Sequence, residues 1–214
     1  MKKVEEILAS TILSKDEIDT YLNESRPTLL LELGGKEDYE NIGNSRIGGW
    51  PDLPKEFDYP AGYDGKLYVF IAQLNLSEVS SKIDIKNLPN SGLLYFFLIS
   101  DEDNASNIQH LVWYSDGQDL EKFNPEEGFS FYNDLYKEEF PSYKIKLKES
   151  STINSNKFEG EYSNKMSFEG DLEKLIYLPS RIGGYSQSSD GEVQGRIIWE
   201  KGEYCKYELS LIHI

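Results

Sequence analysis

The pentapeptide Ser-Arg-Ile-Gly-Gly stands at residues 45–49 and again at residues 180–184, each time followed by an aromatic, Trp50 and Tyr185. An identical stretch of this kind is the mark of internal duplication, and it constrains the fold more than any other feature of the chain. Two copies imply a pseudo-symmetric plan. They also supply a ruler, because the segments downstream of the first copy are expected again downstream of the second.

The pattern around the first copy is that of strands. Leu29 to Leu33 form an apolar run that meets Gly34-Gly35. Residues 67–76, Leu-Tyr-Val-Phe-Ile-Ala-Gln-Leu-Asn-Leu, begin apolar and become alternating, as in a strand leaving a buried sheet centre. Residues 93–99, Leu-Leu-Tyr-Phe-Phe-Leu-Ile, are apolar on both faces, so both need cover; residues 111–114 then meet the turn pair Asp116-Gly117. Tyr143 to Lys148 alternate, with a lysine face that is solvated or guards an edge. About eight strands are expected in all, a modest β fold.

Helix signals lie mainly at the start. Val4, Ile7, Leu8, Ile12 and Leu13 recur at helical spacing. Ser14 and Glu17 form a capping box for a second helix, which ends before Pro27 because the residue preceding proline is driven to extended geometry. These signals imply a short helical cap on a β body. Asp171 to Leu175 also read as helical, and Ser150 to Asn156 as the most linker-like stretch.

Three segments together carry a resemblance. Arg46-Ile47-Gly48-Gly49-Trp50-Pro51-Asp52-Leu53-Pro54, then Phe70-Ile71-Ala72-Gln73-Leu74-Asn75-Leu76, then Leu88-Pro89-Asn90-Ser91-Gly92-Leu93-Leu94-Tyr95-Phe96-Phe97 resemble the YwqG-like family, a bacterial family of unknown function. The resemblance extends over residues 26–207. It implies a mainly β, roll-like fold with internal duplication. The family pattern has proline after the second Gly-Gly-aromatic, where this chain has Ser186. The implied domain plan is a helical cap (1–25), a first β repeat (26–149), a partial second repeat (150–208) and a tail (209–214). The 27-residue step from Arg46 to Gln73, applied to Arg181, lands on Glu208, so the second copy is expected to be cut short there. The tail Leu-Ser-Leu-Ile-His-Ile matches the translation of a transposon end used in sequencing libraries, which would make it adapter-derived; the alternative is a genuine apolar terminal strand.

Charge narrows the function classes. There are 38 acidic against 22 basic side chains, a formal net charge of -16. Such a surface repels nucleic-acid phosphates and anionic lipid; it reads either as plain solubility or as complementary to a basic protein partner. Cys205 is alone, which rules out an intrachain disulfide and a cysteine-rich zinc site. With an N-terminus that turns acidic at once and no run long enough to span a bilayer, a cytoplasmic protein is expected.

The candidate site lies on the repeat. Gly48-Gly49 and Gly183-Gly184 read either as tight structural turns or as backbone-amide nests that hold an anion with Arg46 and Arg181. Gln73, inside an apolar strand, either bonds a neighbouring turn or faces a ligand, since a buried amide needs partners. Trp50 and Tyr185 with Trp113 either line a pocket or belong to the core. His110 has no partner with which to build a metal centre, and Asp101-Glu102-Asp103-Asn104 lack the glycine and distal glutamate of a calcium loop. No catalytic residue, cofactor or metal site is expected. Two functions stay open: a non-catalytic binding or protein-interaction module, and an enzyme or sensor for a small anionic ligand held by the two arginines between the repeats.

Overall fold

In a computed structural model, described residues are 2–10, 13–85, 88–100, 108–131, 140–153, 180–184, 195–199, 204–207 and 212–213, with backbone alone for 2–3, 99–100, 108–110 and from 195 onward. In chain order they form α1 (Lys2–Ala9), α2 (Lys15–Glu24), β1 (Arg26–Lys36), β2 (Arg46–Ile47), β3 (Asp52–Pro54), β4 (Val69–Asn75), α3 (Leu76–Ser80), β5 (Leu93–Ser100) and β6 (Ile108–Ser115). The chain continues with β7 (Leu120–Lys122), β8 (Tyr143–Thr152), β9 (Arg181–Gly183), β10 (Gly195–Trp199), β11 (Tyr204–Tyr207) and β12 (Ile212–His213). The fold is mainly β. Twelve strands appear among the described residues, more than the eight expected. Five of them are three residues or shorter, too brief to show a period in the sequence. No helix of the described residues is long and apolar enough to cross a membrane.

The chain divides into two compact units. The first gathers Met1–Glu32, Leu147–Gly195 and Glu208–Ile214. Here Ser14 caps α2 as its spacing predicts: its side chain accepts from the Glu17 amide, while the Glu17 carboxylate accepts from the Ser14 amide at 2.7 Å. The helix stops at Glu24, before Pro27. Val4, Ile7, Leu8, Leu13 and Tyr21 bury together with Ile153. In the same unit β9 lies between β1 and β12, antiparallel to both. Gly34-Gly35 do not end β1, which runs on to Lys36.

The second unit gathers Leu33–Lys146 and Arg196–Tyr207. Its sheet has the order β11-β10-β6-β5-β4-β2-β8, and β3 pairs with β7 in a separate ribbon. β10 joins the sheet parallel to β6. The core is strongly aromatic. Trp50 packs against Tyr59, Phe123, Phe129 and Phe131, while Trp113 stacks on Phe57 at 3.8 Å and on Tyr95 at 4.7 Å. Each such ring removes a large apolar area from water, so this cluster dominates the unit's stability. Trp50 and Trp113 are therefore core residues.

Two local features arise from the strand pattern. β4 continues directly into α3, a helix the apolar run concealed; Asn75 caps it by accepting from the Ser77 and Glu78 amides. The pairing of β4 with β5 slips between Phe70 and Ala72, leaving Ile71 as the extra residue of a β-bulge. Ser150 to Thr152, read from composition as linker-like, continue β8, and Ser151 and Thr152 are buried. Residues 101–104, 171–175 and Tyr185 lie outside the described residues, as does the His110 side chain.

Candidate functional site

The first Ser-Arg-Ile-Gly-Gly copy places Arg46 in β2, where its Cα lies opposite Gln73 on one side and Lys144 on the other. The glycines after it turn the chain back under the sheet. Gly48 and Gly49 have φ of 72° and 69°, a region that L side chains avoid. A Cβ on Gly48 would run into the Pro141 carbonyl oxygen, and one on Gly49 into the Tyr39 hydroxyl and Ser142. The turn thus requires glycine twice over, for conformation and for space.

The turn brings Asp52 back to Arg46. Their side chains form an ion pair with both groups fully buried. Asp52 is the hub. Its Oδ2 also accepts from the Gly43 amide at 2.7 Å and from Gln73 Nε2 at 2.9 Å, and its own amide donates to Gln73 Oε1 at 2.8 Å. Gln73 Nε2 donates in addition to the Asn44 carbonyl at 2.8 Å, and the Tyr95 hydroxyl donates to the Asp52 carbonyl at 2.5 Å. Gln73 accordingly bonds a neighbouring turn. Charge-assisted bonds of this kind are strong, and their burial leaves them unscreened by salt.

A strap from residues 37–44 covers the arginine. Glu37, itself buried, accepts from the amides of Asp38 and Tyr39 and from Asn44 Nδ2, which holds the strap in a closed turn. Tyr39 has a φ of 59°, an unusual conformation for a bulky residue. Its ring lies between two cations, with Arg46 Cζ 4.8 Å from the centroid and Lys122 Nζ 3.8 Å from it. Burial holds the Arg46 guanidinium below the usual arginine range, opposed first by Glu37 and then by Tyr39.

The amides that an anion nest would need are engaged within the chain. The Gly48 amide donates to the carbonyl of the bulged Ile71 at 2.8 Å and the Gly49 amide to Phe140 at 3.0 Å; the Trp50 amide donates to the Tyr39 hydroxyl at 3.2 Å. The Ser142 hydroxyl donates to the Gly48 carbonyl at 3.1 Å. Chemically the cluster is a polar knot that fixes where β2, β3, β4 and the strap meet, with Arg46 Nε, Asp52 Oδ1 and Asn44 Oδ1 buried in it without a hydrogen-bond partner among the described residues.

The second copy repeats part of this geometry in the other unit. Arg181 is fully buried in β9, and Gly183 and Gly184 have φ of 82° and 88°. A Cβ on Gly184 would meet Thr152, much as one on Gly49 would meet Ser142. Arg181 lies opposite Leu30 in β1 and His213 in β12, so position 213 has the register that Gln73 has beside Arg46. Burial pushes the Arg181 guanidinium down to about 10.

The sequence singled out Arg46, Gly48, Gly49, Trp50 and Gln73, which the structure gathers around one turn. It passed over Asp52, Tyr39, Asn44 and Tyr95. Asp52 did carry a signal, a lone carboxylate between Pro51 and Leu53 in a buried strand. Tyr39 carried none, because nothing in the sequence announces a left-handed tyrosine. Among the described residues no three His, Cys, Asp or Glu side chains are grouped so as to hold a metal ion.

No curated protein matches the chain. A family profile matches residues 45–206, from the start of the first Ser-Arg-Ile-Gly-Gly copy to within β11. The chain belongs to the family described as a domain of unknown function, DUF1963.

Proposed function

We propose that this protein is a YwqG-like, cytoplasmic bacterial protein that works as a non-catalytic binding module for a basic protein partner. The observation that carries the reading is the division of charge. The conspicuous arginine of the motif, Arg46, is fully buried and neutralised within the chain by Asp52, while carboxylates such as Glu40, Glu56, Asp58, Asp116, Asp119 and Glu121 are exposed. With a formal charge of -16, the surface offers a cationic protein a field that steers and retains it. The anionic-ligand alternative, with Arg46, Arg181 and the glycine turns as its site, has less support, because the Gly48 and Gly49 amides already serve carbonyls of the chain.

We also infer an internal duplication. It is supported by the shared course of the two motifs: a buried arginine, a positive-φ glycine pair, and antiparallel neighbours on both sides.

The test is co-purification from the native host at low and moderate ionic strength, and then reconstitution with the purified partner. A one-to-one complex that weakens steeply with salt is expected. Failure to retain any partner at low ionic strength would end this reading.

A further inference from the structure

We propose that the hairpin of residues 59–68 is the docking surface for an arginine- or lysine-bearing segment of a basic protein; this rests on the binding-module reading above. Among the described residues three large hydrophobic side chains are exposed, and Tyr63 is the extreme case, at 114% against 63% for Leu33 and 48% for Ile42. A ring left wholly in water gives up the stabilisation it would gain by burial and keeps its whole π face open to a partner.

The hairpin is held from its root. Tyr59 is buried against Trp50, Phe97 and Phe123, and its hydroxyl donates to the Tyr68 carbonyl at 3.0 Å. The Tyr68 amide donates to Pro60 at 3.0 Å, and Ala61 bridges Leu67 across the two arms. At the tip the Gly62 amide donates to Lys66 at 2.9 Å, the Gly65 amide to Gly62 at 3.0 Å, and the Lys66 amide to Asp64 Oδ1 at 3.1 Å. These bonds fix the backbone around Tyr63, so binding through its ring orders little further chain.

The surroundings select the sign of the partner. Asp64 is exposed on the hairpin itself, and exposed Asp58 immediately precedes its root. The Leu67 amide donates to Ser130 at 2.8 Å and Leu67 bridges Phe131, which brings the turn carrying exposed Glu126 and Glu127 alongside. Lys66 is the hairpin's own cation and sits 3.9 Å from Asp64. An exposed aromatic ring next in sequence to Asp64, on a hairpin whose Leu67 arm lies beside the acidic turn, is complementary to a guanidinium or ammonium group: the ring offers its face to the cation and a carboxylate accepts from its N–H donors.

The experiment titrates the full chain with a short synthetic peptide of alternating Arg and Gly, with a Glu-for-Arg twin as control, at low ionic strength by two-dimensional amide NMR. Saturable shifts centred on residues 61–66 and 126–129 are expected, with none from the twin. Tyr63→Ala should weaken the peptide roughly two- to fivefold while Tyr63→Phe keeps the affinity, as a cation–π contact requires. Both variants should keep the parent melting temperature, since the ring makes no burial contribution. Binding that is unchanged in Tyr63→Ala, or shifts spread over other acidic surface, would overturn the hairpin proposal and leave the basic-partner reading standing. No binding by any variant, parent included, would overturn both.

Discussion

Arg46 and Asp52 form an ion pair in which both side chains are fully buried, and that pair closes the turn between β2 and β3. Taking two charges out of water costs several kcal/mol per ion, and their attraction offsets it only with further hydrogen bonds. Gln73 and the Gly43 amide supply those bonds to Asp52. The motif that marks the sequence is thus the fastening of the second unit.

Removing the carboxylate charge should be costly. Asp52→Asn leaves Arg46 charged and buried without its counter-ion, for a loss of about 3–5 kcal/mol in chemical denaturation. Arg46→Met/Asp52→Asn should recover part of that loss, and a double-mutant cycle reads the coupling. A loss in the double variant equal to the sum of the losses in Arg46→Met and Asp52→Asn alone would mean that the pair is not coupled.

Gln73→Leu keeps the volume and removes the amide. It strands the Asp52 amide and the Asn44 carbonyl, at a cost of about 2–4 kcal/mol by equilibrium unfolding. A change below the error of the measurement would show that Gln73 is not needed to satisfy the turn.

Two glycines separate conformational strain from crowding. Gly65 has a φ of 77° with nothing within 4 Å of an added Cβ, so Gly65→Ala measures the left-handed penalty alone, about 1–2 kcal/mol. Gly49→Ala has a similar φ, and its Cβ would meet the Tyr39 hydroxyl and, at 2.7 Å, Ser142. It should lose substantially more, or fail to fold, as judged by melting temperature and amide dispersion.

The surface pair between Asp38 and Lys144 predicts a weak, salt-sensitive pH effect. The hydrogen bond from Lys144, at 2.7 Å, holds the Asp38 carboxyl below the usual carboxylate range; the same bond raises the Lys144 ammonium above the usual lysine range. The depressed acid stabilises the fold above its unfolded titration and loses that effect as pH falls through the folded one. The raised base stabilises below its unfolded titration and loses that effect as pH rises through the folded one. The stability difference between the parent and Asp38→Asn should therefore be confined to the interval between the carboxylate and lysine titrations, and should vanish in high salt. A difference that persists in high salt would count against this assignment.

Local chemistry made much of the fold legible. The Ser14–Glu17 box and Pro27 set both ends of α2, because caps and proline act within a few residues. The apolar runs located β4, β5 and β6, because a strand buried on both faces has to be apolar throughout. The repeated Arg-Ile-Gly-Gly announced the two turns, because glycine is the residue that takes positive φ without strain.

The contacts that decided the site lay beyond any local pattern. Asp52 becomes the partner of Arg46 only when the glycine turn folds β3 back and β4 sets Gln73 beside both. Tyr39 reaches Arg46 only through the strap fixed by Glu37. The sequence by itself determined the strand-rich character, the glycine turns and the acidic balance, each a property of single residues or near neighbours. The tertiary structure alone decided that the arginine would be buried and neutralised and that Tyr63 would stand in water, because burial is a property of what packs around a residue and not of the residue itself.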